Sequence, residues 1–168
     1  FISQNNFFNK DNIRINEVII EKANFSLLND NFKMLYENSD DKFSEQKIKI
    51  NNSNIFFKDN LNEVISIIKI SNAFLFFDKN NLFNLFDLKG EIFNIPFELS
   101  YQNIINSQKK IKIKASDLKL QIINNIFEND EDSINGINKI SILNSTFNTK
   151  YNINDKVILF QSNSSKVY

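Results

Sequence analysis

Five times along the chain an apolar and polar alternation loses step at two residues, passes a Ser or Ala, and then resumes. The copies are Ile20-Glu-Lys-Ala23-Asn-Phe25, Ile50-Asn-Asn-Ser53-Asn-Ile55, Ile70-Ser-Asn-Ala73-Phe-Leu75, Ile113-Lys-Ala-Ser116-Asp-Leu118 and Ile142-Leu-Asn-Ser145-Thr-Phe147. Strand side chains alternate between faces, so the odd spacing of the two apolar residues in each copy would throw the second half of a regular strand onto the wrong face. A bulge or tight corner at the break restores the phase. Asn and Ser tolerate that geometry, which a chain with only Gly 2 could rarely obtain from glycine. Each copy is therefore expected to be a strand, a corner, and a strand continuing in the same core. The small residues lie 30, 20, 43 and 29 positions apart (23, 53, 73, 116, 145), which excludes a solenoid of fixed period and points to a meander of long, bent antiparallel strands.

Other segments carry the same two-residue period. "KKIKIKASDLKLQI" (Lys109 to Ile122) sets Ile111 and Ile113 against Lys110, Lys112 and Lys114, then Leu118, Leu120 and Ile122 against Lys119 and Gln121. "EIFNIPFELSY" (Glu91 to Tyr101) alternates through Phe93, Ile95, Phe97, Leu99 and Tyr101, and its Pro96, lacking an N–H, predicts an edge or a bend. "EVISIIKI" (Glu63 to Ile70) and "AFLFFD" (Ala73 to Asp78) are apolar in both phases and read as strands covered on both sides. "KNNLFNLFD" (Lys79 to Asp87) reads as one helical turn or an irregular link. "NNIFENDEDSINGIN" (Asn124 to Asn138) is the most loop-like stretch, followed by "ENSDDKFSEQ" (Glu37 to Gln46). The letters leave open whether Phe1 to Asn38 joins the sheet or folds elsewhere, and the Ala23 copy points to the former.

Composition narrows the chemistry. The 168 residues, 42% hydrophobic and 24% charged, suit a single β-rich segment spanning residues 1–168. Lys+Arg 20 balances Asp+Glu 20, so no overall field gathers phosphate backbones, and nucleic acid is not an expected partner. His 0 and Cys 0 exclude a disulfide, a zinc finger, a His-based triad, a thiol nucleophile and an imidazole metal ligand. No cofactor is expected, and no enzyme. The chain opens at Phe1 without a basic-then-apolar leader or an apolar run long enough to span a bilayer, so any signal or anchor is expected outside this piece.

Three clusters invite chemistry and yield little. An EF-hand loop counted from Asp130 would need Gly and Glu where Asn135 and Ser141 stand, so Glu128, Asp130, Glu131 and Asp132 read as a solvated loop. Asp40, Asp41, Glu37 and Glu45 could suggest a glycosidase pair, but nothing fixes their separation or raises one pKa. The Lys109, Lys110, Lys112, Lys114 and Lys119 series could attract lipid headgroups, lipopolysaccharide phosphates or RNA, yet reads first as a solubilising face or edge protection.

The repeated units "INNSNIFF", "ISNAFLFFDK" and "LNSTFNTKY", together with "DLKGEIFNIPFELSY" (Asp87 to Tyr101), resemble the AsmA-like proteins. These are repeating β-groove proteins that include the YhdP and TamB families of Gram-negative envelopes and the bridge-like lipid transfer proteins of eukaryotes. In the last segment Gly90, Pro96, Phe97 and Leu99 look like the family's hairpin of a strand, a Gly-containing step and a second strand. The resemblance covers roughly Ile48 to Phe160 and departs from the family in lacking its N-terminal anchor and in being short, which suits an internal piece of a longer elongated protein.

The resemblance implies an all-β curled sheet, or β-taco, with at most short helical turns: an apolar trough in which acyl chains slide while headgroups stay in water. It implies a non-enzymatic, periplasmic lipid-transfer segment that binds phospholipid or another acyl lipid, is anchored to the inner membrane by a helix outside this chain, and reaches the inner or outer membrane through flanking segments. The lining implied is Ile48, Ile50, Ile55, Phe57, Phe74, Phe76, Phe93, Ile95, Phe97, Leu99, Ile111, Ile113, Leu118, Leu120, Ile140, Ile142 and Phe147. The alternative is a closed β-sandwich serving adhesion or scaffolding without lipid, because periodicity does not separate a filled core from an open groove.

Overall fold

The computed structural model describes residues 15–28, 31, 41–104, 108–129, 133–154 and 157–166. These form one 11-stranded sheet: β1 (Glu17–Glu21), β2 (Asn24–Leu28), β3 (Lys47–Lys58), β4 (Val64–Asp78), β5 (Phe83–Ile92), β6 (Ile95–Ile104), β7 (Gln108–Ala115), β8 (Leu120–Asn129), β9 (Ser133–Ile142), β10 (Ser145–Asn154) and β11 (Val157–Lys166). From β3 to β11 each strand pairs antiparallel with the next in sequence. β1 and β2 lie end to end on the free side of β3 and run parallel to it, Glu17 opposite Lys47 and Leu28 opposite Lys58. The sheet is not closed, because β1 and β2 occupy one edge and β11 the other. It is the curled open meander expected from the broken alternation, and not a sandwich.

The first three copies of the motif lie side by side as corners: the first joins β1 to β2, and the second and third fall within β3 and β4. Lys22 and Asn52 take positive φ of 54° and 47°. Lys22 N–H donates to Asn51 O (3.1 Å) and Asn54 N–H to Ala23 O (2.9 Å), which carries the ladder across the break. Buried Ser53 completes it: its Oγ accepts from Ala23 N–H (3.0 Å) and donates to Asn51 O (2.8 Å). On β4 the register against β5 shifts between Ile70 and Asn72, so one extra residue is absorbed. Ile50 and Ile55 share a face across one break, and Ile70 and Ala73 across the other. Gly90 faces Ile70 at this bulge, where a Cβ would stand 2.5 Å from Lys69 O, so only glycine lets the backbones approach.

The fourth and fifth copies are reversals of direction. Ser116–Leu118 is a 3₁₀ turn closed by Lys119 (φ 48°), and β8 returns with Leu120 opposite Ala115. Leu143 (φ 50°) turns the chain between the paired Ile142 and Ser145. Small polar residues that ease a bulge also ease a hairpin, so the same six residues serve both.

Further readings need correction. Glu91 to Tyr101 is not one strand: Phe93 and Asn94, with φ 51° and 61°, form the two-residue hairpin between β5 and β6, whose double positive φ matches the twist of flanking strands. "EVISIIKI" and "AFLFFD" are one strand, β4, and it is not covered on both sides, since Val64, Ile65 and Ile67 are exposed. Lys79 to Leu82 does form one helical-type turn, closed by Leu82 N–H on Asp78 O (2.8 Å), but Phe83 to Asp87 is strand β5 rather than an irregular link. Asn124 to Asn138 is mostly strand, with the acidic residues 130–132 outside the described residues. Pro96 is not on an edge strand, since β6 lies between β5 and β7, but β7 pairs with β6 only from Glu98 onward, so Pro96 owes no N–H to a second ladder.

Candidate ligand groove

Register assigns every strand residue to one of two faces, and the faces differ in kind. One row of directly opposed residues runs across the sheet as Ile20, Ile50, Ala73, Leu88, Leu99, Ile113, Ile122, Ile140 and Phe147. At about 4.8 Å between strands this is an unbroken apolar line of roughly 38 Å. A parallel row, Ile48, Leu75, Phe86, Tyr101 and Ile111, runs beside it as far as β7 and then turns polar at Asn124 and Asn138. Every buried apolar side chain among the described residues (Ile70, Ala73, Phe77, Leu88, Ala115, Ile126) lies on this face, as do buried Ser53, Asn84, Asn103 and Lys109. Burial confined to one side of a single sheet means that the sheet curls about that side.

The face is tightest around Ile70, Ala73 and Leu88, against which Ile50, Ile55, Phe86, Phe97 and Leu99 pack. It loosens toward β11: Phe147 is 41% exposed and Phe160 74%. Polar residues border it at the β4–β5 turn. Asn84, fully buried, accepts from Phe43 N–H (2.8 Å) and donates from Nδ2 to Asp41 O (2.7 Å), holding residues 41–43 beside Phe77, over whose ring Lys42 Nζ stands at 4.3 Å. Toward β10, the Tyr151 ring lies in the space where a Cβ of Gly136 would stand, and its hydroxyl donates to Asn124 Oδ1 (2.9 Å). Asn138 Oδ1, in the adjacent position, is buried and has no hydrogen-bond partner.

The residues expected to line a groove mostly fall on this face. Ile48, Ile50, Ile55, Phe57, Ile95, Phe97, Leu99, Ile111, Ile113, Leu120, Ile140, Ile142 and Phe147 share it. Phe74 and Phe76 do not: the bulge puts Ala73, Leu75 and Phe77 on the apolar face and leaves these two on the other, with Lys47 Nζ 4.2 Å and 5.4 Å from their rings. Phe93 sits in the hairpin turn, 72% exposed, and Leu118 in the 3₁₀ turn, 43% exposed. Absent from that expectation, among others, are Leu75, Phe77, Phe86, Leu88 and Ile122. The last was in phase with Leu120 all along; the others follow only once the bulge and the strand character of β5 are known.

The outer face is polar at its centre. Lys49 pairs with Glu17 (2.6 Å), Lys69 with Glu91 (2.7 Å) and Lys89 with Glu98 (3.0 Å). Hydrogen bonding to Lys89 holds the Glu98 carboxyl below its ordinary value, helped by the charges of Lys114 and Lys112. From β7 to β10 this face carries Lys110, Lys112, Lys114, Lys139 and Lys150 and no carboxylate among the described residues. A depression of about 340 Å³ opens here, lined by Asn72, Phe74, Asp87, Lys89, Glu98 and Lys112 among others. The Lys89–Glu98 ion pair and the further charges of Asp87, Lys112 and Lys114 line it, so it is a poor receptor for an apolar ligand.

Of the carboxylates that could suggest a glycosidase pair, Glu37 and Asp40 lie outside the described residues, Asp41 is exposed, and Glu45 is held by Lys42 (3.0 Å) and Lys79 (2.5 Å). Among the described residues no group of carboxylates could hold a metal ion. No helix there is long and apolar enough to cross a membrane. No family model matches the chain, and neither a curated protein nor a solved structure does.

Proposed function

We propose that this chain is a non-enzymatic segment of a bacterial cell-envelope protein that shelters lipid acyl chains along its apolar face and passes them between membranes. The observation that supports it most is the unbroken row from Ile20 to Phe147. A single apolar side chain could belong to any core, but a line crossing nine consecutive ladder positions in an open sheet offers continuous contact to a long, thin apolar molecule. Each methylene withdrawn from water there contributes about 0.8 kcal/mol. Lipid would move by sliding along the row, with no bond broken, while its headgroup stays at the polar border or in solvent. The resemblance to AsmA-like proteins supports the same reading and adds the compartment, the periplasm, with the membrane anchor supplied by flanking sequence.

Native mass spectrometry of gently purified protein, with lipid extraction from the same sample, tests it. Phospholipid is expected near one equivalent per groove, and Leu99→Glu or Ile122→Glu should remove it from a protein that keeps its strand circular dichroism. Lys112→Glu, on the outer face, should leave lipid bound. Lipid-free protein that ignores added phospholipid vesicles would overturn the proposal in favour of an adhesion or scaffold role.

A further inference from the structure

Strands of a meander turn alternately at opposite rims of the sheet, so the β3–β4, β5–β6, β7–β8 and β9–β10 turns lie along one rim. Each presents a large apolar side chain to solvent: Leu61 (79% exposed), Phe93 (72%), Leu118 (43%) and Leu143 (69%). Phe93 and Leu143 do so with φ of 51° and 50°, a region that Gly, Asn and Asp enter at lower cost. Turn formation alone does not call for them, and strain of this kind points to a use.

At the β7–β10 corner of this rim the apolar tips adjoin positive charge. Leu143 N–H donates to Lys119 O (3.1 Å), which ties the β9–β10 turn to the β7–β8 turn and sets Leu118 and Leu143 on neighbouring tips. Beside them a shallow depression of about 350 Å³ is lined by Lys114, Ser116, Lys119, Leu120, Gln121 and Ser141. Lys112 and Lys139 stand on the next row of the outer face, on either side of Ile123. Against these lysines the described residues of the corner set only Asp117, because Glu98, opposite Lys114, is already held by Lys89. Edge protection does not account for them, since β7 lies between β6 and β8 and β9 between β8 and β10.

We infer that this corner docks on an anionic phospholipid bilayer, with Leu118 and Leu143 entering the interface and Lys114 and Lys119 meeting lipid phosphates. Association of this kind grows with the apolar area buried and with attraction to anionic lipid, and the corner supplies both. Successive tips are two strands, about 10 Å, apart, so they do not form the continuous apolar core that a protein interface buries. A fluid bilayer needs no matching sockets and accepts each tip separately. Nucleic acid is disfavoured, because the β7–β8 and β9–β10 turns carry no aromatic ring on which bases could stack. The inference holds whatever the groove carries.

Flotation with vesicles of mixed phosphatidylglycerol and phosphatidylcholine, against vesicles of phosphatidylcholine alone, tests it. The chain should float with the mixed vesicles, and salt should release it. Lys114→Glu combined with Lys119→Glu should weaken binding on the order of tenfold or more. Leu118→Asn combined with Leu143→Asn should weaken it comparably in a folded protein, because asparagine suits the turn at Leu143 better than leucine does. The chain has no tryptophan, so Leu143→Trp is a lone reporter whose emission should shift to the blue with mixed vesicles and not with inorganic phosphate. Leu82→Trp, in the exposed β4–β5 turn at the opposite rim, should not shift. Leu99→Glu, aimed at the groove, should leave flotation intact, which separates this inference from the lipid-carrying one. Failure to float with mixed vesicles, indifference to both double substitutions, or loss of flotation in Leu99→Glu would each overturn the inference. Retention on RNA with no shift at Leu143→Trp would overturn it in favour of an anionic polymer.

Discussion

Two stretches of the same apolar face, β3 to β6 and β9 to β11, are written in nearly the same letters and end in different physical states. In the first, Ile70, Ala73 and Leu88 are buried to 3%, 0% and 6%. In the second, Ile142 and Phe147 remain about two-fifths exposed (39% and 41%) and Ile158 and Phe160 stand mostly in solvent. Alternation is common to both, so alternation does not decide which becomes core. What differs is the row of corners. Three adjacent strands break step together at Lys22, Asn52 and Ser71, the extra residue tightens the local twist, and Gly90 lets β5 close against the bulge. The β9–β10 strands have no interior break, and their fifth motif copy is spent on a hairpin at Leu143.

If that comparison is right, equal truncations should have unequal costs. Leu88→Ala removes a side chain enclosed by Ile70, Ala73 and their neighbours and should destabilise by about 2 to 5 kcal/mol, the range for large-to-small changes in a packed interior. Phe147→Ala, although it removes a larger side chain from the same apolar row, should cost less, because the site is already open and little cavity remains. Paired urea titrations of the two variants measure the difference. Equal losses would mean that the β9–β10 end is covered in solution, and the gradient along the groove would have to be abandoned.

A narrower test strikes the corner itself. Ser53 Oγ bridges Ala23 N–H and Asn51 O at a site only 1% exposed, so Ser53→Ala strips Ala23 N–H of its acceptor and leaves Asn51 O with the Lys22 N–H alone. A loss of about 1 to 3 kcal/mol is expected, the cost of burying unsatisfied polar groups. Ser145→Ala, at the hairpin copy of the motif and only half-buried, should lie within about 0.5 kcal/mol of the parent. Similar effects at both positions would show that the motif acts alike in corners and in hairpins.

Much of this architecture is legible in the letters. The two-residue period announces strands, and the odd spacing across each break announces a corner, because any other outcome would expose half of every strand. What the letters withhold is which break stays within a strand and which reverses it. Ser53 and Ser145 occupy the same place in the same motif, and only the partner strands, Ala23 beside one and Ile142 opposite the other, settle the matter. The lining fails at the same places. Phe74 and Phe76 look as apolar as Leu75 and Phe77, and a one-residue bulge at Ser71 decides between the pairs. Phe93 keeps perfect phase with Ile95 and is lost to the groove because Phe93 and Asn94 turn, a fold-back for which asparagine is a weaker signal than glycine.

The outer face should respond least, and in a direction fixed by its ion pairs. Lys89 holds the Glu98 carboxyl below its ordinary value near 4.5, and Lys79 with Lys42 does the same for Glu45. A carboxyl depressed in the folded state adds stability that is complete above its unfolded pKa and disappears as the pH falls through the folded one. Glu98→Gln should therefore lower the thermal midpoint slightly at about pH 7, and the gap from the parent should close as the pH falls through the depressed pKa of Glu98, below which both carry a neutral group. Because Glu98 and Lys89 are well exposed, salt should shrink the same gap at neutral pH. Leu88→Ala supplies the contrast: its deficit is a matter of packing and should persist across both the pH and the salt series. A Glu98→Gln deficit as insensitive to pH and salt as that of Leu88→Ala would mean that the outer face carries packing too, and that the two faces differ less than their burial implies.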